Sequence, residues 1–513
     1  MISREVVRRL RSFHEGRPLP KGQTKHFALV DDPNLLVVSF LRMGGESRPW
    51  GITWGHPNEE PSTLSVPEGR NRDLVADMCA EFAPVLLEHF LTPGYAKDEP
   101  ASWEDLAPLR QLWLPNPSHL DMLHHLAYAY TFTKWGAGAR GRLNAFGRLC
   151  GWLHREAQRP GQQHTMVATD ALRESFAFPA QDVRQGHLGF LLAWLDQEGD
   201  RGSRNLAAME AERIAISTTL DPSVEREETE RLVIAWQQAR EAADSARMSD
   251  IADEVGEVLT RELVHRWNLT GEAIRGLRDD KRRINSGVES LVTEGLKEQW
   301  YQQTRIELNF GDDQDGPAFV TSPETDRYPA AAGSRYQVHL ASDELRESVL
   351  LHDDLEMQAE AIASGDAFRG EIIDVYDVGE GRKSEPVWIV VDPIGGQLRL
   401  RERAWVCVAG MPNRTATIEG IEERPDGSRV FEVWITGWKT KPDKANDPIR
   451  VGKEVVFVTN SAHQISRIKS QRIWSANTPG SWLTHARPQG PRTRIEEDLA
   501  EPIDQIEPVI GGG

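Results

Sequence analysis

The densest grouping of residues able to do chemistry in this 513-residue sequence lies near its C-terminus. Trp434, Trp438, Lys439, Lys441 and Lys444 come close together, and Arg467, Lys469, Arg472, Trp474 and Trp482 follow. Single-stranded nucleic acid needs this pairing of residue types. Flat aromatic faces stack on bases, at about 1–3 kcal/mol per base, and cations sit beside the phosphates. From Val455 to Arg487 there is no Asp or Glu to oppose them. The same pattern also suits protein–protein docking, and tryptophan alternating with polar residues is how a small barrel fills its core.

Other strings resemble known chemistry without completing it. Gly136, Gly138 and Gly141 match GxGxxG, but Lys134 precedes them where a buried residue is wanted, and Asp170 arrives too late to serve a ribose. A phosphate loop would need Lys and Ser/Thr where Arg142 and Leu143 stand. A flexible turn between helices is the simpler reading. His119, His124 and His125 surround Asp121 but lack a third ligand at metal spacing, so they read as helix histidines. Asp31 or Asp32 with Glu46-Ser47-Arg48 imitates a magnesium nuclease loosely, with Arg for Lys. Glu371, Asp374 and Asp377 are spaced for the same strand turn but lack a partner. No GxSxG elbow occurs. No cofactor, metal site or catalytic residue is therefore expected, which leaves a metal-dependent nuclease with a non-obvious site as the enzymatic alternative.

The chain carries a net charge of −19, which argues against general coating of nucleic acid. That charge is unevenly spread: 18 Lys and Arg face 15 Asp and Glu from Phe368 to Arg487, so this stretch alone is positive. Cys79, Cys150 and Cys407 lie far apart and read as small buried hydrophobes. No apolar run approaches the roughly 20 residues of a membrane span, and no leader follows Met1–Arg11, so a cytoplasmic protein without a membrane partner is expected. Arg outnumbers Lys by 48 to 12, the bias of a GC-rich bacterial genome.

These residues must be positioned by several domains. Residues 1–103 read as a small α+β domain, with strands at His26–Val30, Leu35–Arg42, Gly51–Trp54 and Ser62–Val66 and a helix over Leu74–Leu86. Residues 104–221 read as a helical bundle, with stripes through Leu120–Ala127, Leu143–Leu153 and Leu188–Leu195. Residues 222–309 read as a long-helix hairpin or stalk, and 310–341, rich in Gly, Pro and Asp, as a linker. Residues 342–487 read as a helix followed by a small antiparallel β-barrel, and 488–513 as a disordered acidic tail. The barrel strands are placed at Gly370–Val375, Val387–Val391, Gln397–Leu400, Ala404–Val408, Thr415–Ile421, Val430–Thr436 and Glu454–Val458. The fold class is thus multidomain α+β.

A charged helical pair followed by a small barrel resembles the stalk-and-barrel insert of some superfamily 1 helicases, which contacts single-stranded nucleic acid. The motor boxes GKT/GKS and DEAA are missing. The helices at 137–195 resemble the core-binding domain of tyrosine recombinases, without a recognisable catalytic Arg/His/Arg/Tyr set. The expectation is a non-enzymatic, nucleic-acid-associated accessory factor in bacterial defence or DNA processing. Its partners would be single-stranded nucleic acid and a separate helicase or nuclease. The alternative is a scaffold subunit that touches proteins only.

Overall fold

A computed structural model describes residues 4–21, 34–91, 109–132, 135, 138–159, 163–180, 184–196, 198–278, 291–292, 295–296, 299, 340, 343, 345, 348–349, 351–352, 354–378, 385–436 and 449–459. Helix α1 (Arg4–Glu15) places Val6, Leu10 and Phe13 on one face, and Gly16 ends it in the left-handed region at φ 68°. Strand β1 (Leu19–Pro20) follows, then β2 (Leu35–Leu41), β3 (Gly51–Gly55) and β4 (Ser62–Ser65). Next come α2 (Arg72–Leu91), β5 (Gln111–Leu114), α3 (Pro117–Tyr130), α4 (Leu143–Glu156), β6 (Thr165–Val167) and α5 (Ala168–Ser175). Strand β7 (Phe176–Ala177) then pairs with β1. Helices α6 (Leu188–Asp196), α7 (Arg201–Ala211), α8 (Glu230–Glu241), α9 (Ser245–Arg278) and α10 (Leu355–Ser364) complete the helical part.

Five strands form one mixed sheet in the order β4-β3-β2-β5-β6, with β5 parallel to both β2 and β6. All seven residues of β2 are buried. Leu36, Val38 and Phe40 enter one apolar core, with α2, α3 and α4, while Leu35 and Val37 enter another, with α5 and α6. A strand covered on both faces reads as a continuous apolar run, as Leu35–Leu41 does. This sheet corrects two expectations. The boundary at 103/104 does not separate two cores, because β5 and β6 belong to the same sheet as β2. Nor is α9 a free stalk: its Val255, Leu259 and Leu263 are buried with β2 and β3, and Trp267 and Ile274 join the second core. The strand expected at His26–Val30 and most of 279–341 lie outside the described residues.

Arg266 of α9 is wholly buried. Its guanidinium donates to the carbonyls of Ser217 (2.8 Å) and Thr219 (3.2 Å) and to the Glu262 carboxylate (3.0 Å). Burial holds its pKa below the usual arginine range, and Glu262 works against that. Arg266→Ala removes the charge, leaves Glu262 with Arg261 at 3.6 Å, and withdraws the strong donor from the Ser217 and Thr219 carbonyls. Of these, Thr219 keeps a long contact from the Ser217 hydroxyl (3.4 Å). The expected loss is about 3–5 kcal/mol in urea unfolding; a loss under about 1 kcal/mol would contradict this assignment.

The C-terminal strands are β8 (Phe368–Val378), β9 (Glu385–Asp392), β10 (Trp405–Val408), β11 (Met411–Glu423), β12 (Arg429–Thr436) and β13 (Glu454–Thr459). They close into an antiparallel barrel in the order β10-β11-β12-β9-β8-β13. Phe368, Phe431 and Phe457 stack at its centre, with ring centroids 3.9 and 4.9 Å apart. The hairpin turn at Pro425-Asp426-Gly427 is set by the Asp426 carboxylate, which accepts from Ser428 N–H (3.0 Å), and by Gly427 at φ 86°. The strand expected at Gln397–Leu400 is instead irregular, fixed by Arg399 N–H to the Gly365 carbonyl (2.8 Å), with Leu398 and Leu400 packed against the barrel core. Gly365 must be glycine there: a Cβ would lie 2.5 Å from the Gln397 carbonyl oxygen. Helix α10 covers β10 and β13 through Met357 and Ala361, against Cys407 and Val458.

Candidate nucleic-acid interface

Alternation along the barrel strands sends Trp388, Val406, Ala416, Ile418, Val433 and Ile435 inward. Their neighbours must point outward. Across the ladders, Trp405 pairs with Thr417, Thr417 with Trp434, Trp434 with Val387, and Val387 with Tyr376. One outward row therefore crosses five of the six strands. Its aromatic residues sit on alternate strands, about 10 Å apart at the usual strand spacing. Trp405 and Tyr376 are 47% and 41% exposed, Trp434 is half-buried, and Thr417 and Val387 form the floor between them. Among the described residues the indole N–H of Trp434 has no hydrogen-bond partner.

The rows on either side of this one differ in charge. On one side, Glu432 and Asp374 are exposed in the next outward row. Burial, and after it the Glu432 carboxylate, raises the Tyr376 phenol above its usual range. On the other side, Thr436 pairs with Thr415 and Thr415 with Cys407, all uncharged, and Glu385 stands opposite Val378 in the same row. It is past that side that the chain leaves β8 after Val378 and β12 after Thr436. Strand β13 ends at Thr459, whose partner Val406 adjoins Trp405.

Charge follows this geometry. The described barrel stretches 368–378, 385–436 and 449–459 hold nine Lys and Arg against twelve Asp and Glu. Segments 379–384, 437–448 and 460–487 hold nine against three. The positive balance of the module thus belongs to segments that depart beside the aromatic row. Trp434 is the one sequence-predicted site residue within the described residues; Trp438, Lys439, Lys441, Lys444, Arg467, Lys469, Arg472 and Trp474, with Trp482, lie outside them. Sequence reasoning missed Trp405 and Tyr376. Only the strand register joins them to Trp434, although each alternates with inward apolar residues.

The remaining motifs are accounted for elsewhere. Gly138–Arg142 is a short 3-10 turn, and the element before it is helix α3 rather than a strand. Arg140 there donates to Asp77 (2.6 Å) and Asp73 (3.1 Å), holding the Asp77 carboxyl low, so carboxylates stand near where a phosphate would have to sit. His119 is buried as a pin between β2 and residue 216. Its Nδ1 accepts from Phe40 N–H (3.0 Å) and its Nε2 donates to the Ile216 carbonyl (3.1 Å). His124 lies beside His154 of α4, with ring centroids 5.0 Å apart and the rings tilted by 38°. Among the described residues no three His, Cys, Asp or Glu side chains are placed to hold a metal ion. Glu46 pairs with Arg70 at 3.6 Å, and Asp31 and Asp32 lie outside the described residues. The three cysteines are buried; burial pushes the Cys79 thiol up to about 12 and raises Cys150 as well. Among the described residues no helix is long and apolar enough to cross a membrane.

No protein family matches the chain, and neither a curated protein nor a solved structure matches it significantly.

Proposed function

We propose that this protein is a nucleic-acid-associated accessory factor that binds single-stranded nucleic acid on its C-terminal barrel. In this reading it serves a separate helicase or nuclease in bacterial genome defence or DNA processing, since its own sequence carries no motor box. The observation that supports the reading is the row Trp405–Trp434–Tyr376, with each aromatic residue beside the departure of a cation-bearing segment. Bases stack on the row while phosphates lie toward Lys439, Lys441, Lys444, Arg467, Lys469 and Arg472. The carboxylates of Glu432 and Asp374 repel the backbone on the other side and so set its direction across the face.

The test is fluorescence anisotropy of the full chain with labelled oligo-dT and oligo-U at several salt concentrations. Trp405→Ala or Trp434→Ala is expected to weaken binding about 5- to 150-fold, the equivalent of 1–3 kcal/mol per stacked base. Changing Lys439, Lys441 and Lys444 together to Glu is expected to flatten the salt dependence by about 0.7 log unit for each phosphate no longer neutralised. Absence of binding at low salt, or binding indifferent to both tryptophans, would overturn the reading.

A further inference from the structure

Helices α1, α6 and α7, with the Phe178–Ala180 segment, enclose a cavity of about 570 Å³ that shares no lining residue with the aromatic row. Its floor is aromatic, formed by Phe13, Phe178 and Phe190. Its charged lining is all of one sign: Arg9, Arg184 and Arg201, without a carboxylate. Val6 and Leu10 of the α1 wall are 44% and 58% exposed, so apolar surface is left uncovered at the mouth. The arginines are held in place without being neutralised equally. Arg9 donates to the Ala180 carbonyl (3.1 Å), Arg184 stands 3.8 Å from Glu212, and Arg201 lies over the Phe13 ring at 3.5 Å. Arg201 reaches this position because Gly16 has no Cβ, which would lie 2.9 Å from the arginine's own Cβ.

An apolar cavity ringed by arginines fits an occupant that is both apolar and acidic. The chain itself contains one. Residues 495–510 carry Glu496, Glu497, Asp498, Glu501, Asp504 and Glu507 with no Lys or Arg, interleaved with Ile495, Leu499, Ile503, Ile506, Val509 and Ile510. The departure point of the C-terminal chain is also near. Val458 packs with Met357 of α10, and the Met357 sulfur accepts from Arg8, the neighbour of Arg9 on α1. The 35 residues between Thr459 and Ile495 span on the order of 100 Å when extended, so reach does not limit the contact. We infer that the acidic apolar segment 495–510 docks in this arginine-rimmed cavity of its own chain.

Cysteine pairs in the full chain test this, since Cys79, Cys150 and Cys407 are buried and do not compete. Under mild oxidation, Asn205→Cys with Leu499→Cys is expected to cross-link within one molecule at least tenfold faster than Asp426→Cys with Leu499→Cys. Adding Arg9→Glu and Arg201→Glu is expected to remove that advantage, and Glu496→Lys, Glu497→Lys and Asp498→Lys added on top are expected to restore it. Three results would overturn the inference: equal rates for the two pairs, cross-linking mainly between molecules, or a faster cross-link from Leu499→Cys to Lys441→Cys, which would seat the acidic segment on the cations near the barrel.

Discussion

Arg8→Ala is expected to release α10 and the barrel from the N-terminal helix, at a cost of about 3–5 kcal/mol. The Arg8 guanidinium donates twice to one oxygen of Glu360, at 2.6 and 2.9 Å, and once to the sulfur of Met357 at 3.0 Å. Arg8 and Glu360 are only 7% and 4% exposed. Deleting the arginine leaves a desolvated carboxylate with, among the described residues, only Arg11 nearby, 3.8 Å away. Deleting both charges removes that penalty, so Arg8→Met with Glu360→Leu is expected to recover most of the loss. Native-state hydrogen exchange of the α10 amides reads the effect locally, which suits a chain this large. Additive losses in the double variant would show that the two charges do not act as a pair.

Acid is expected to destabilise the protein through His119 well before its carboxylates titrate. Burial, aided by the Arg266 charge, lowers its pKa to about 3, although the Ile216 carbonyl pulls the other way. The geometry agrees, because Nδ1 already accepts from Phe40 N–H and a proton there would confront another proton. The folded state therefore refuses a proton that the unfolded chain takes near pH 6.5. Stability is full above pH 6.5 and falls as pH drops toward 3, with a slope approaching 1.4 kcal/mol per pH unit for this one group. His89, lowered to about 4 chiefly by burial and then by Arg110, adds in the same direction. Glutamine can accept from Phe40 and donate to Ile216 without titrating. His119→Gln is expected to cost some stability at pH 7.5 yet flatten the decline between pH 6.5 and 5. Urea unfolding at four pH values measures this, and an unchanged slope would remove His119 as the cause.

The barrel was readable because its strands alternate and its turns carry their own chemistry, as at Asp426 and Gly427. Gln397–Leu400 misled for the same reason: Leu398 and Leu400 alternate like a strand, but Gly395 (φ 63°) and Gly396 (φ 122°) turn the chain away from any ladder. In the N-terminal half, β5 and β6 are four and three residues long, too short for periodicity to separate from buried helix. Missing them made one sheet look like two domains. The aromatic row was half legible. Trp434 stood out by type, but Trp405 and Tyr376 join it only through register, and a one-residue slip would have turned each of them inward.

The clasp between Arg8 and Glu360 joins residues 352 positions apart, which bears on how the protein is made. At about 5–20 residues per second, roughly 20–70 s pass between the synthesis of α1 and that of its partner helix. Throughout that interval Val6, Leu10 and Phe13 emerge with the clasp unformed. An affinity tag or truncation at the start of the chain would thus reach its far end, disturbing a helix that rests on the barrel rather than the domain in which the change was made.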